Sequence, residues 1–343
     1  MEVGVDSFAM AFRPGESDTP AQRLGNLVAQ VERADQVGLD VFGIGEHHRK
    51  EFLDSAPSVI LGAAAARTKR IRLASAVTVL SSTDPVRLFE QFATIDLLSN
   101  GRAEIIAGKG SFAESYPLFG YRLEDYDDLY AEHMDLLLKI RDNEIVTWQG
   151  KHRPAIPGMG VYPRPVQKRL PIWVGIGGGP QSAVRAGLLG LPLMVAIIGG
   201  ETRRFRPVID LYRQTYLKAG HDPAGMKVGM HSPGYVADTT EKAIDDFYPG
   251  IAAAFAKIGK ERGWSHITRE RLEAQRGPED AFLVGNPDEV AEKILHHSEA
   301  LGGLDRVTFQ MDPASLGHKD AISAIELLGS KVAPTVRAAT LTA

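Results

Sequence analysis

The sequence predicts an α/β fold: a single (β/α)8 TIM barrel over residues 1–343, with insertions after its fourth and seventh strands. Two observations carry this expectation. Short apolar runs alternate with segments of helical periodicity at roughly 30 residues per unit, the rhythm of parallel strands joined by crossover helices. Prolines such as Pro57 and Pro85 stand where helical segments begin, and glycines such as Gly38 stand where they end. Eight strands with about as many helices fit a closed barrel better than an open sheet.

Residues 3–9 read as the first strand and 23–37 as an amphipathic helix, with Leu24, Leu27, Val31 and Ala34 near helical spacing. Gly38 ends that helix ahead of the second strand, 41–44. Pro57 opens a helix to Ala66, and 71–80 is the third strand. Pro85 opens a helix to about Leu98, closed by Asn100-Gly101, and 103–107 is the fourth strand. The rhythm then breaks over 111–170, where a helix at 125–140 precedes a small hairpin within 146–152 and a proline-marked excursion. It resumes with strands at 172–176 and 193–198 and helices at 180–189 and 204–218. A seventh strand, 228–237, leads to a helix at 240–258 and a second irregular insertion, 259–282. A helix at 287–301, the eighth strand at 307–311 and a last helix at 315–328 complete the pattern.

An apolar content of 44% with 24% charged residues is ordinary for a chain that buries a sizeable core. Lys and Arg number 39 against 43 Asp and Glu, and no basic stripe stands out, which argues against nucleic acid as a partner. With no cysteine there is no disulfide, thiolate nucleophile or thiolate metal site. The N-terminus lacks a signal-peptide pattern. The longest apolar stretch, 188–198, is broken by Gly190 and Pro192 and is too short for a bilayer. A soluble, cytoplasmic protein with no membrane partner is expected.

The candidate chemistry collects at strand ends. After the second strand come Glu46, His47 and His48. Alternation puts Gly43, Gly45 and His47 on one face, so the two glycines leave room for something flat beside an imidazole able to move a proton. A His-His pair bonded into its own loop is the competing reading. No His-x-His or H-E-x-x-H is present to favour a metal. Small residues at 74–76, near Ala76-Val77, allow a close approach of ligand to backbone, or else a tightly packed barrel interior. Lys109 stands between Gly108 and Gly110, a cation suited to a phosphate or a developing anion. Residues 108–113 nominally fit G-x-G-x-x-A, but no helix follows at once and no acidic partner stands on the next strand. After the fifth strand, Gly177-Gly178-Gly179 before Pro180 exposes backbone N–H groups at a helix start, with Ser182 nearby. A flexible glycine turn is the alternative there. Ala196, on the sixth strand, is a further candidate for cofactor contact. A ligand with one phosphate, a large flat ring and a neighbouring proton-transfer residue would use all of these positions.

In these stretches the chain resembles the bacterial luciferase-like monooxygenase superfamily. The resemblance rests on residues 38–48, 63–73, 84–87 and 97–102, resumes at 171–175, and has a weaker tail at 284–287. It implies a (β/α)8 barrel binding reduced FMN, or in some branches F420, and using O2 to oxygenate a small organic substrate. It implies His47 as the catalytic base, with Glu46 beside it. It puts a non-proline cis peptide at Ala76-Val77 next to the flavin ring. It puts Lys109 where bacterial luciferase has an arginine on the flavin phosphate, a point charge in place of a fork. The luciferase's reactive thiol position is Gly108 here. A homodimer supplied with reduced flavin by a separate NAD(P)H-flavin reductase is expected, with the two insertions as lid candidates. An F420-dependent dehydrogenase and a non-catalytic flavin-binding protein are the alternatives.

Overall fold

The computed structural model of the chain describes residues 1–11, 18–262, 266–312 and 316–341. It opens with β1 (Glu2–Ser7), α1 (Pro20–Gln36), β2 (Val41–Ile44), α2 (Pro57–Ala65) and β3 (Arg72–Ser75). β4 (Thr78–Val79), α3 (Pro85–Ser99) and β5 (Ala103–Gly108) follow. Then come α4 (Ser115–Leu118), α5 (Tyr126–Asp142) and an antiparallel hairpin of β6 (Ile145–Trp148) and β7 (Ile156–Gly160). Alternation resumes with β8 (Ile172–Ile176), α6 (Pro180–Leu188), β9 (Leu193–Ala196), α7 (Arg206–Lys218), β10 (Val228–Val236) and α8 (Thr240–Arg262). The chain ends with α9 (Arg269–Ala274), β11 (Leu283–Gly285), α10 (Pro287–Ala300), β12 (Arg306–Gln310), α11 (His318–Leu327) and α12 (Ala333–Leu341).

Eight parallel strands close the barrel in the order β1, β2, β3, β5, β8, β9, β10, β12, and β12 pairs back to β1. Local chemistry fixes the helix starts. Thr19 and Gln22 form a reciprocal capping box at α1, and Asp84 and Asn286 cap α3 and α10, each followed by proline. α3 stops where Asn100 and Gly101 turn left-handed, at φ 58° and 87°.

Where the strands begin, the barrel is plugged by Arg306. Its guanidinium pairs with Glu104 and with Glu2 (2.7 Å), and lies 4.4 Å from the Trp173 ring centroid. Val41, Ala74, Ile106, Trp173 and Met194 fill the interior, with Val77 packed against them. A filled interior leaves only the mouth, at the C-terminal strand ends, for a ligand.

Several boundaries differ from expectation for identifiable reasons. The third strand is two pieces, because the Ser75 hydroxyl takes the place of a ladder group: it accepts from Ile106 N–H (3.1 Å), and β4 re-pairs with β5 at Ala107 and Gly108. The hairpin returns at Ile156 because residues 151–153 first wrap the Glu132 carboxylate, which accepts their three backbone N–H groups at 2.7–3.0 Å. The second insertion is not wholly irregular: α8 runs on to Arg262 and α9 follows, while residues 263–265 lie outside the described residues. β11, missed because it is three residues long, pairs among the described residues with β10 alone. The expected start of the last helix at Ser315 also lies outside the described residues. Beyond Leu327 the helix continues through a π turn at Leu328–Val332 into α12, where Pro334 has no N–H to keep the ordinary ladder.

Candidate active site

A cavity of about 520 Å³ opens at the mouth of the barrel. His47, Glu46, Ala76, Val77 and Lys109 line it, as do Gly177, Ser182 and Ala196. Gly178 lines only a neighbouring cavity, and Gly179 lines neither.

The loop after β2 presents His47. Its Nδ1 lies 2.8 Å from Asp54 Oδ2, and its backbone N–H donates to Asp54 Oδ1 at 3.1 Å. Asp54 is fully buried; burial pushes its carboxyl above the usual range, and the His47 hydrogen bond pulls against that. The imidazole stacks on Phe52 at 4.2 Å and meets Phe8 at 4.7 Å and Phe112 at 5.6 Å. Its Nε2 makes no hydrogen bond to the described residues, which leaves that nitrogen to the cavity. Glu46 is already engaged. One oxygen accepts from Val79 N–H (2.9 Å) and the other meets His48 Nε2 (3.0 Å), so this carboxylate ties the loop to β4.

Gly43 and Gly45 do not make room for a ligand. A Cβ on Gly43 would come within 2.1 Å of Asp6 Oδ1 and 2.7 Å of the Ala76 methyl. One on Gly45 would meet Phe8 and Asp54 at 2.6 and 2.7 Å. The space is filled by the protein's own side chains. Gly108 and Gly175 likewise admit Val77, whose methyls lie 2.6 and 2.7 Å from where their Cβ atoms would be. The Ala76-Val77 peptide is cis.

Lys109 is ion-paired with Asp127, and that hydrogen bond holds the Asp127 carboxyl below its ordinary range. The ammonium lies 5.1 and 5.7 Å from the ring centroids of Tyr126 and Tyr130. Arg185 of α6 crosses Tyr130 at 5.3 Å, and its buried Nη1 has no partner among the described residues. Gly179 caps α6, and a Cβ on Gly177 or Gly179 would meet nothing within 4 Å, so this helix start is open. The neighbouring cavity shares Gly177, Gly199 and Phe205 with the first and adds Arg204.

Sequence reasoning missed a polar cluster on the opposite strands. Asp6 on β1 accepts from His231 Nδ1 (2.6 Å) on β10 and from the Thr308 hydroxyl on β12, and Gln310 stands beside it in register. A charged residue inside an apolar first strand was the available signal. Asp54 and Arg185, each a few residues beyond a recognised motif, were missed too.

An open helix start, a lysine at the cavity wall with Arg185 behind it across Tyr130, and an apolar cavity bounded by an imidazole fit a flat ring with an anionic tail. Among the described residues no three metal-ligating side chains cluster, and no helix is long and apolar enough to cross a membrane.

A family profile described as luciferase-like monooxygenase matches residues 1–304. The N-acetyl-S-alkylcysteine monooxygenase of Bacillus subtilis (strain 168) is 31% identical over 83% of this chain and 86% of its own length. The oxygenating constituent of 3,6-diketocamphane monooxygenase from Pseudomonas putida, solved in complex with FMN, superposes with a TM-score of 0.79 at 22% identity, covering 98% of both chains. An F420-dependent secondary alcohol dehydrogenase superposes with a TM-score of 0.76 at 19% identity, covering 98% of this chain and 99% of that one.

Proposed function

The chain belongs to the luciferase-like monooxygenase family, and from that premise we propose that it is an FMN-dependent monooxygenase that uses reduced flavin and O2 to oxygenate a small organic substrate. The observation that carries this reading is His47: an imidazole backed by a buried aspartate, with Nε2 turned to a cavity that also takes up Lys109 and Ser182. Lys109, Ser182 and the Gly177 amide, all at the cavity wall, would hold the phosphate, with Gly178 toward the neighbouring cavity, and Ala76, Val77 and Ala196 would border the ring. The bound flavin supplies reaction with O2.

The remaining work falls to this chain's own residues. Asp54 accepts the Nδ1 proton, so the Nε2 lone pair is the one presented to the reacting group, where it takes or returns a proton. Glu46 acts through position, clamping β4 to the loop that carries His47. Phe8, Phe52 and Phe112 keep water from the imidazole.

A separate NAD(P)H-flavin reductase would supply the reduced flavin. In support, the fingerprint-like segment after β5 runs into a helix of only four residues, Ser115–Leu118, too short to be a dinucleotide helix. A cytoplasmic homodimer is part of the proposal: α2 and α3 expose Val59, Leu97 and Leu98. Sedimentation of the purified chain tests the dimer.

The test of function is anaerobic titration with reduced FMN followed by substrate-dependent O2 uptake; no binding would overturn the reading. Hydride transfer with F420 is the second reading. The neighbouring cavity beside Arg204 favours it, because it extends the site for a cofactor with a longer anionic tail. Tighter binding of F420 than of FMN would establish that alternative. Tight flavin binding without substrate-dependent turnover would mark a non-catalytic binder.

A further inference from the structure

The proposed mechanism leaves unused the polar cluster on β1, β10 and β12. His231 and His47 both pack on Phe8, with ring centroids 5.8 and 4.7 Å from it, and both line the cavity. Each has its Nδ1 on a buried aspartate.

At the second pair the proton positions follow from the donors. Asp6 Oδ2 accepts from the Thr308 hydroxyl and lies 2.6 Å from His231 Nδ1, while Thr308 Oγ1 is itself 3.4 Å from that nitrogen. With Asp6 Oδ2 as the acceptor for both, the imidazole proton sits on Nδ1, and this tautomer is part of the proposal made below. β2 contributes by omission: the Asp6 carboxylate occupies the space beside Gly43, where any Cβ would lie 2.1 Å from Oδ1. His231 Nε2 is then a bare lone pair. It has no hydrogen bond to the described residues and is not among their fully enclosed unpartnered atoms. Gln310, in register with Asp6 and also lining the cavity, has a side-chain amide with no hydrogen bond to the described residues. The rest of the surrounding wall is apolar, with Phe8, Met10, Pro233 and Ile251.

We propose that His231 Nε2 and the Gln310 amide form the substrate-recognition pole of this cavity, selecting a compact, mostly apolar molecule that carries a hydroxyl or N–H donor. Asp6 is the positioning residue that fixes the tautomer. The proposal rests on the functional reading above only in calling the bound molecule a substrate.

Two measurements on the full chain test it, and neither needs flavin, so a failure of flavin binding is read separately. In long-range 1H–15N spectra at pH 8, His231 should show its ring proton on Nδ1, and Asp6→Ala should give a tautomer mixture. A proton on Nε2 in the unsubstituted chain overturns the proposal whatever the variants do. The second measurement compares phenol with anisole, two probes differing in the donor. Phenol should bind roughly five-fold tighter, the weight of one net hydrogen bond. His231→Asn keeps an N–H for Asp6 and removes the Nε2 lone pair, its own amide oxygen falling one bond short of that position, and should abolish that preference. Absent phenol binding, equal affinities, or a preference that survives His231→Asn overturns the proposal.

Discussion

Arg49, in the loop that carries His47, donates from Nη1 and Nη2 to the two carboxylate oxygens of Glu261 near the end of α8, at 2.7 and 2.8 Å. The same guanidinium lies 4.5 Å from the Phe112 ring centroid and 3.2 Å from Glu114. One cation therefore joins three segments over the cavity: the loop after β2, the start of the first insertion and the end of α8. Glu261 is half exposed, so the pair contributes no more than about 1 kcal/mol to global stability. Arg49→Ala is expected to leave the melting temperature nearly unchanged while hydrogen exchange quickens at residues 251–256 and 112–119. Unchanged exchange in both segments would mean that Arg49 does not hold the cover in place.

His47→Ala should retain flavin binding and lower kcat by roughly 10²–10⁴-fold, the range for a positioned acid or base. Asp54→Asn is the sharper test. An asparagine NH2 facing Nδ1 favours the tautomer with the proton on Nε2, so the lone pair presented to the cavity is lost and the decrease should approach that of His47→Ala. Single-turnover rates with flavin prebound check both. A normal rate in Asp54→Asn, with the fold intact by circular dichroism, would reduce the pair to a structural contact.

The barrel was legible because its signals are local and repeated: Pro57, Pro85 and Pro180 at helix starts, Gly38 and Gly101 after helix ends, and Val41–Ile44 as an uninterrupted apolar strand. The place of His47 at the barrel mouth was legible for the same reason, since it stands in a short polar tip after such a strand. The glycines were misread because a missing Cβ tells nothing of what fills the space; at Gly43 it is Asp6. The Asp6–His231 contact joins residues 225 apart, and no local period encodes which side chains meet across a closed barrel. Ser75 acting in the β-ladder was hidden in the same way, since its hydroxyl substitutes for a backbone group only once β5 lies beside it.

Lys109 and Arg185 make a prediction through ligand charge. Removing the phosphate from FMN gives riboflavin, so the ratio of the two affinities isolates the anion contacts. Lys109→Ala should lower that ratio by about ten-fold, one charge-assisted contact, and Arg185→Ala, at a residue behind the cavity wall, by less, with riboflavin affinity little altered in both. Asp127 competes for the Lys109 ammonium, so Asp127→Asn should tighten FMN binding. Fluorescence quenching titrations read all three. Riboflavin binding as tightly as FMN to the unsubstituted chain would remove the phosphate from this end of the cavity.

Lys293 gives a prediction about pH. Its ammonium is buried under the second insertion and, among the described residues, donates only to the carbonyls of Phe282 (2.6 Å) and Arg276 (3.1 Å). Burial pushes its pKa down from 10.5 to about 7, with Asp280 opposing that shift. Between these two values the unfolded chain holds a proton that the folded chain lacks, so stability rises with pH, by about 1.4 kcal/mol per unit at most. Below pH 7 both states are protonated and the penalty is constant; above 10.5 it is gone. His297, one turn along α10, is pushed by burial to about 3 and adds a loss of stability as pH falls below 6.5. Urea midpoints of the unsubstituted chain should therefore climb from pH 7 to 9.5. Lys293→Met removes the titrating group, which relieves the penalty of the buried charge while leaving two carbonyls unpaired, so it should show a flatter profile over that range. Parallel profiles for the two proteins would mean that Lys293 keeps its proton in the folded chain throughout, and that the insertion closes over a charged amine.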